Sequence, residues 1–312
     1  MKIVKYTDDK KTAWNELVTR SKNGHFFFYR DYMEYHRDRF TDFSLMVYDE
    51  KEKLLAILPA NIKDNEIISH GGLTFGGIVI DNKMTAGKML AVFKALLDFM
   101  KESGIKKFIY KAMPYIYNKY PAEEALYALT YYNAKLIRRD ISSTIYLENR
   151  TKYEERRQRA IKKGYKNNYV LRESHNYNDF IRLLDEVLSK YHGLHPVHTA
   201  AELELLAAKF PDNIKLYTAE KDGKIDAGTL IFLQAGVVHT QYLANSDSGR
   251  KTGALDCLID YLITDIYKDK KYFDFGISCE NNGRYLNEGL AAQKEGFGAR
   301  TVVQDFYEIN LY

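Results

Sequence analysis

Apolar residues recur along this chain with two periods. Between residues 85 and 103, Met89, Leu90, Phe93, Leu96, Leu97 and Met100 return every three or four positions, which predicts a helix with one buried face. The same period predicts helices over 12–23, 121–136, 177–191, 200–209 and 253–267, and a short aromatic one within 26–40. A basic helix is expected over 152–163, and part of 283–296 reads as helical. Short apolar or alternating runs predict strands at 44–48, 54–62, 107–112, 142–147, 214–220, 226–232, 237–244, 272–276 and 301–311. The turn KDGK between two of them signals a hairpin. Residues 67–80 are strand-like but hold two glycine pairs, a sign of a bulge or a close backbone approach.

The two halves share a pattern. With Gly87 aligned on Gly253, Met89, Phe93, Leu96, Leu97 and Met100 fall on Leu255, Ile259, Leu262, Ile263 and Ile266. Each helix follows a strand and a small-residue turn, and each precedes a strand. Any two amphipathic helices align on their period; the matching strand order favours a duplicated α/β unit. A length of 312 residues fits two domains at roughly 100–200 residues each.

Composition narrows the class. Hydrophobic residues are 46% and charged residues 28%, enough apolar material for a core and against wholesale disorder. No apolar run reaches the ~18–20 residues that span a bilayer, and the N-terminal stretch lacks a signal-peptide apolar region. Two cysteines, Cys257 and Cys279, cannot build a disulfide framework or a four-thiolate zinc site. A reduced cytoplasmic protein is expected. The net charge of +4 is too balanced for nucleic-acid binding by the whole chain. Residues 150–172 nevertheless hold nine Lys or Arg against two Glu. With Tyr153, Tyr165 and Tyr169 they form either a phosphate-binding surface or a solvated helix face.

Several motifs bear on chemistry. Residues 237–255 read as strand, polar loop and helix start, where amides and the helix dipole favour an anion. Arg250 adds a charge there; an ordinary turn with Gly253 at the helix cap is the other reading. The loop is not a P-loop. Asp274-Phe275-Gly276 matches a kinase triplet, but V-A-I-K and a kinase-type Gly-rich loop are missing. His192, His195 and His198 are spaced at three residues, yet Pro196 breaks any helix that would align them on a metal. They suit a polar loop rimming a cleft or a plain surface loop. The polar stretch 280–298 follows a strand, where α/β sites usually lie. Lys294, set among Leu290, Ala291 and Phe297, is either an anion-stabilising group or an exposed helix lysine. No G-x-S-x-G occurs, which removes support for nucleophilic hydrolysis.

The C-terminal residues carry a family pattern. Tyr272, Asp274, Phe275 and Gly276, then Gly289, Leu290, Lys294, Phe297 and Gly298, resemble the ending of the FemA/FemB/FemX-type transferases of the GNAT acyltransferase superfamily. Gln293 stands where that pattern has an aromatic residue. Upstream, ISSTIYLENRTKYEERRQRAIKKGYKNN resembles the family's strand and basic helix between two domains, and GLTFGGIVI its first Gly-rich strand. The resemblance implies an α/β fold of two tandem GNAT-like domains, 1–148 and 149–312, with the last strand pairing back towards the first. It implies an N-acyltransferase moving an acetyl or similar group from acetyl-CoA, or another acyl-CoA, to an amine on a sugar or bacterial cell-envelope precursor. No metal, DNA or membrane-integral segment is implied, and tRNA only under an alternative: aminoacyl-tRNA-dependent peptide addition to a peptidoglycan precursor. A non-catalytic GNAT-like binding module is a second alternative, because Leu255 stands where the carrier signature [QR]-x-x-G-x-[GA] has a small residue.

The resemblance also distributes roles. The carrier would lie along Gln241, Tyr242 and Leu243, its phosphates at Arg250, Lys251, Thr252, Gly253 and Ala254. Lys294 would stabilise carbonyl or phosphate, Glu280 or Glu288 would take the amine proton, and Tyr285 would protonate the leaving thiolate. The acceptor would contact Arg30, His36, His70, His195, His198 and Gln241 between the domains.

Overall fold

The computed structural model describes residues 1–312, the side chain of His192 excepted. It divides into two compact units: Met1–Asp140 with Asn281–Arg284 and Val303–Tyr312, and Ile141–Glu280 with Tyr285–Val302. The chain passes from one to the other inside a strand, Lys135–Tyr146, and its final segment returns to the first unit.

The first unit opens with β1 (Lys2–Lys5) and α1 (Lys11–Arg20), then α2 (Arg30–Met33) between two single 3₁₀ turns where one aromatic helix was expected. Strands β2 (Leu45–Tyr48), β3 (Leu54–Leu58), β4 (Asn61–Lys63), β5 (Glu66–Ile68) and β6 (Val79–Ile80) follow, then α3 (Ala86–Glu102), β7 (Lys107–Lys111) and α4 (Glu124–Tyr131). The order β1-β2-β3-β6 makes one antiparallel sheet; β4, β5 and β7 are successive neighbours in a larger one. Thr85 caps α3, and the six apolar positions Met89, Val92, Phe93, Leu96, Leu97 and Met100 are buried in the unit's core.

Strand β8 is Lys135–Tyr146, longer than expected because α4 stops at Tyr131 and Asn133 (φ 56°) turns the chain. The second unit then runs through α5 (Glu155–Lys166), β9 (Val170–Ser174), α6 (Tyr177–His192), α7 (Ala200–Lys209), β10 (Ile214–Lys221), β11 (Lys224–Gln234), β12 (Val237–Asn245), α8 (Asp247–Thr252), α9 (Ala254–Tyr261), β13 (Tyr272–Ile277), β14 (Cys279–Glu280), β15 (Tyr285–Leu286) and α10 (Glu288–Glu295). Strand β16 (Arg300–Asn310) pairs with β7 through Phe306–Asn310. In the second unit the strands run in the order β9-β10-β11-β12-β13-β8, antiparallel except for β12 against β13. Its core is built on α9, with Ala254, Leu255, Leu258 and Ile259 buried over Val238 and Phe273.

The units repeat one construction. In the first, β6 and α3 lie between β5 and β7, which pair in parallel at Glu66↔Lys107, Ile67↔Phe108 and Ile68↔Ile109. In the second, α8 and α9 connect β12 to β13, which pair in parallel at Val237↔Tyr272, Val238↔Phe273 and His239↔Asp274. Both pairs part after three residues.

Candidate active site

The parting of β12 from β13 organises the second unit. Both strands are bulged there. On β12 the register against β11 slips between Leu230↔Tyr242 and Ile231↔Thr240, leaving Gln241 as the extra residue. On β13 it slips against β8 between Asp274↔Thr144 and Ile277↔Ser142, across Phe275 and Gly276. Bulges re-aim side chains and are common beside active sites.

At the apex stand His239 of β12 and Asp274 of β13. His239 Nδ1 lies 2.8 Å from Asp274 Oδ2. Asp274 is buried, and its Oδ1 accepts Ser142 Oγ at 2.5 Å and Thr144 Oγ1 at 2.8 Å. Gly276 has φ 74°, and a Cβ built on it would lie 3.2 Å from His239 Cε1, so glycine gives the imidazole its room. The sequence reading did not select His239. Its only local signal was one titratable residue in the apolar run Val237-Val238, three residues into a strand.

Lys294 reaches this region from α10. It is buried, and its ammonium donates to Gly276 O at 2.9 Å, Ile277 O at 2.6 Å and Ser278 Oγ at 3.0 Å. Three donors meet three acceptors. Burial pushes the ammonium down to about 8, against the pull of Asp274. The lysine holds the end of β13; it is not the exposed helix lysine that the sequence also allowed. Glu280, Glu288 and Tyr285 are exposed. Glu280 accepts Asn287 Nδ2 at 2.8 Å, and Asn287 caps α10.

The expected phosphate loop is itself a helical turn. Ser246 caps α8, Arg250 N bonds Ser246 O, and Gly253 N bonds Gly249 O, so these two amides are already used. Gly253 (φ 82°) joins α8 to α9, and a Cβ on it would overlap Ala160 O of α5. What this segment offers an anion is side chains. Arg250 is exposed and lies 4.2 Å over the Tyr191 ring; Lys251 is exposed; Thr252 Oγ1 bonds the Tyr169 hydroxyl at 2.7 Å; Ala254 is buried. Nearby Asp247 takes Lys190 Nζ at 2.6 Å and the Tyr191 hydroxyl at 2.7 Å. Arg250 and Lys251 are the exposed cations this segment presents.

The candidate acceptor residues divide. His198 is buried, its Nδ1 2.7 Å from the Tyr242 hydroxyl on β12. His195 is exposed and faces Asp185 Oδ1 at 2.7 Å, and the His192 side chain lies outside the described residues. Among the described residues, no group of three or more His, Cys, Asp or Glu could hold a metal ion. Gln241 and Leu243 are half-buried on β12. In the first unit Arg30 is buried and committed to Glu34, Ser44 and Asp42, with its guanidinium 3.7 Å over Tyr6. His36 Nδ1 lies 2.8 Å from Met33 O. His70 accepts Gly72 N at 3.2 Å, and burial drives its imidazolium down to about 3. These three side chains are held inside their own unit.

Known proteins place this geometry in a class. Residues 148–285 match the family model described as an acetyltransferase (GNAT) domain. The structure is similar to that of FemX, with a TM-score of 0.68 at 10% identity over 98% of this chain and 97% of that one. It is similar to L-PGS from Bacillus licheniformis, with a TM-score of 0.62 at 13% identity over 96% and 91% of the two chains. A tandem GNAT protein from the clavulanic acid biosynthesis pathway gives a TM-score of 0.51 at 10% identity over 100% and 98%. No curated protein matches the sequence. The chain has the FemAB-like fold of two GNAT-like domains. Within it, residues 148–285 are the part that matches the GNAT acetyltransferase model. No helix among the described residues is long and apolar enough to cross a membrane.

Proposed function

We propose that the protein moves an acetyl or similar acyl group from a CoA-type thioester to an amine on a sugar or cell-envelope precursor, where β12 and β13 part. The observation that carries this reading is the early end of their pairing at His239↔Asp274, with Gln241 bulged immediately beyond. Past that point β13 takes none of β12's amides, and fixed amides at such an edge polarise an acyl carbonyl without reorganising. The amine attacks directly, so the protein's work is positioning and proton removal. Lys294 keeps the β13 edge in shape, Arg250 and Lys251 meet the carrier's phosphates, and Tyr285, Glu280 and Glu288 stand exposed at the rim.

Thermal unfolding with acetyl-CoA, free CoA and an adenine nucleotide tests the donor. A ligand bound only to the folded state at ~100 times its Kd adds about 2.7 kcal/mol. The reading predicts a rise in Tm with acetyl-CoA that the nucleotide does not reproduce. No rise at millimolar acetyl-CoA contradicts it.

One observation favours aminoacyl-tRNA as the donor instead. Helix α5 buries Ile161 and Gly164 and exposes Arg156, Arg159, Lys162, Lys163 and Lys166. Arg159 pairs with Glu155; the other four have no ion pair among the described residues. A phosphate backbone on this face would show binding that weakens steeply with salt, losing a log K slope of roughly 0.7–0.9 per charge removed. tRNA binding that ignores salt and survives reversal of these charges removes this second reading.

A further inference from the structure

The pair at the apex has the construction of an oriented base. Three donors converge on the Asp274 carboxylate, two hydroxyls from β8 on Oδ1 and the His239 ring on Oδ2. The bond to Oδ2 fixes a proton on Nδ1 and makes Nε2 the basic nitrogen of the neutral ring, an assignment made from the hydrogen-bond network. Asp274 shows 3% of its side chain to solvent and His239 12%, so the ring keeps a small exposed edge and the carboxylate almost none. The ring sits on the last paired residue of β12, two positions before the bulged Gln241. Lys294 of α10 is close enough to feel the Asp274 charge, and Cys279 of β14 lies near Lys294 in turn.

We infer that His239 takes the proton from the attacking amine, and that Asp274 positions it. The inference rests on the acyl-transfer reading above. The amine nitrogen bonds to the acyl carbon, the carbon–sulfur bond of the thioester breaks, and its electron pair leaves on sulfur. The proton released by the amine passes to His239 Nε2 and then to the thiolate, which restores the ring. With an aminoacyl ester as donor, the bond that breaks is carbon–oxygen and the same proton goes to the ribose alkoxide. Glu280 and Glu288, which the sequence offered for this proton, are exposed and have no comparable orienting partner, Glu280 being bonded to the neutral Asn287 amide.

The test follows thiol release from acetyl-CoA with glucosamine as the amine, in wild type and in His239→Gln, His239→Ala and Asp274→Asn, each melted beside wild type to check folding. His239→Gln is expected to lose about 10²–10⁴-fold in kcat while KM for acetyl-CoA stays within about twofold. Added imidazole is expected to restore part of the turnover of His239→Ala, which a purely structural role would not allow. If His239→Ala does not fold, Asp274→Asn keeps the question open to measurement, with a loss in kcat and an altered acid limb of the pH profile expected. A His239→Gln enzyme within about threefold of wild-type kcat overturns the inference and leaves acyl transfer standing. A wild type that releases no thiol fails before any substitution, and that result removes the acyl-transfer reading together with the inference.

Discussion

The two units start from the same parallel strand pair and end differently. In the first, the chain turns back where β5 and β7 part. Ser69 N bonds Ile109 O at 2.9 Å, Lys111 N bonds Ser69 Oγ at 2.7 Å, and Gly76 N bonds Lys111 O at 3.0 Å. The glycine-rich segment thus lies along the end of β7. Lys111, buried and held down to about 8 by desolvation, points its ammonium at His70 O and Leu73 O. In the second unit β12 runs on to Asn245, and the buried lysine, Lys294, ties down only the end of β13. One parting is filled by the chain itself; the other keeps its strand edge. On the proposed reading, the same strand-helix-strand unit supplies structure in one copy and the acyl-donor site in the other.

The sharpest way to break this comparison is to replace both lysines. Lys111→Met and Lys294→Met each strand buried carbonyls, and each is expected to lose about 1–3 kcal/mol of stability, partly offset by relief of the buried charge. Only Lys294→Met should also lower kcat once folding is accounted for. Equal activity losses would mean that the filled parting is also part of the site.

Gly276→Ala comes next. Its positive φ and the 3.2 Å approach to His239 predict a cost of about 1–2 kcal/mol and a fall in kcat larger than the stability loss explains. Unchanged kinetics would show that the imidazole's seat against Gly276 has no bearing on turnover.

The pH dependence sharpens the first unit's side. His70 is held at about 3 when folded, against 6.5 as a free side chain. From pH 6.5 down to about 3, the unfolded chain takes up a proton that the folded one refuses, so stability falls as pH falls. His70→Gln should flatten part of that slope in urea unfolding across the window. A slope unaltered by the substitution would contradict the burial.

The smallest effect is expected at Arg250. It is exposed, so Arg250→Ala should shift stability by no more than about 0.5 kcal/mol. KM for acetyl-CoA should rise several-fold if its guanidinium meets the carrier's phosphates, and an unchanged KM removes it from the donor site.

Much of this fold could be read locally. The i, i+3, i+4 apolar series gave α3 and α9, and the alignment of Gly87 with Gly253 falls on two helices that lie between equivalent parallel strands. The filled parting was not readable, because Gly71-Gly72 and Gly76-Gly77 sit in an apolar stretch that looks like one strand. What breaks it is Lys111, forty residues on. The helix predicted to reach residue 136 fails at Asn133, beyond which Leu136 and Ile137 join β8. The polar loop expected after β12 is helix α8, because Ser246 and Asp247 are as good at starting a short helix as at shaping a loop. His239 and Asp274 stand 35 positions apart. Asp274 stands in a recognisable motif, but its partner shows only when parallel pairing sets His239 beside it.

The central claim is that the acyl donor occupies the parting in the second unit and leaves that in the first untouched. Hydrogen exchange of the intact protein, with and without acetyl-CoA, tests it most directly. The account predicts slowed exchange at the β12 amides around residues 240–243 and no change over residues 69–77. Protection over 69–77, or none at β12 under saturating acetyl-CoA, would contradict it.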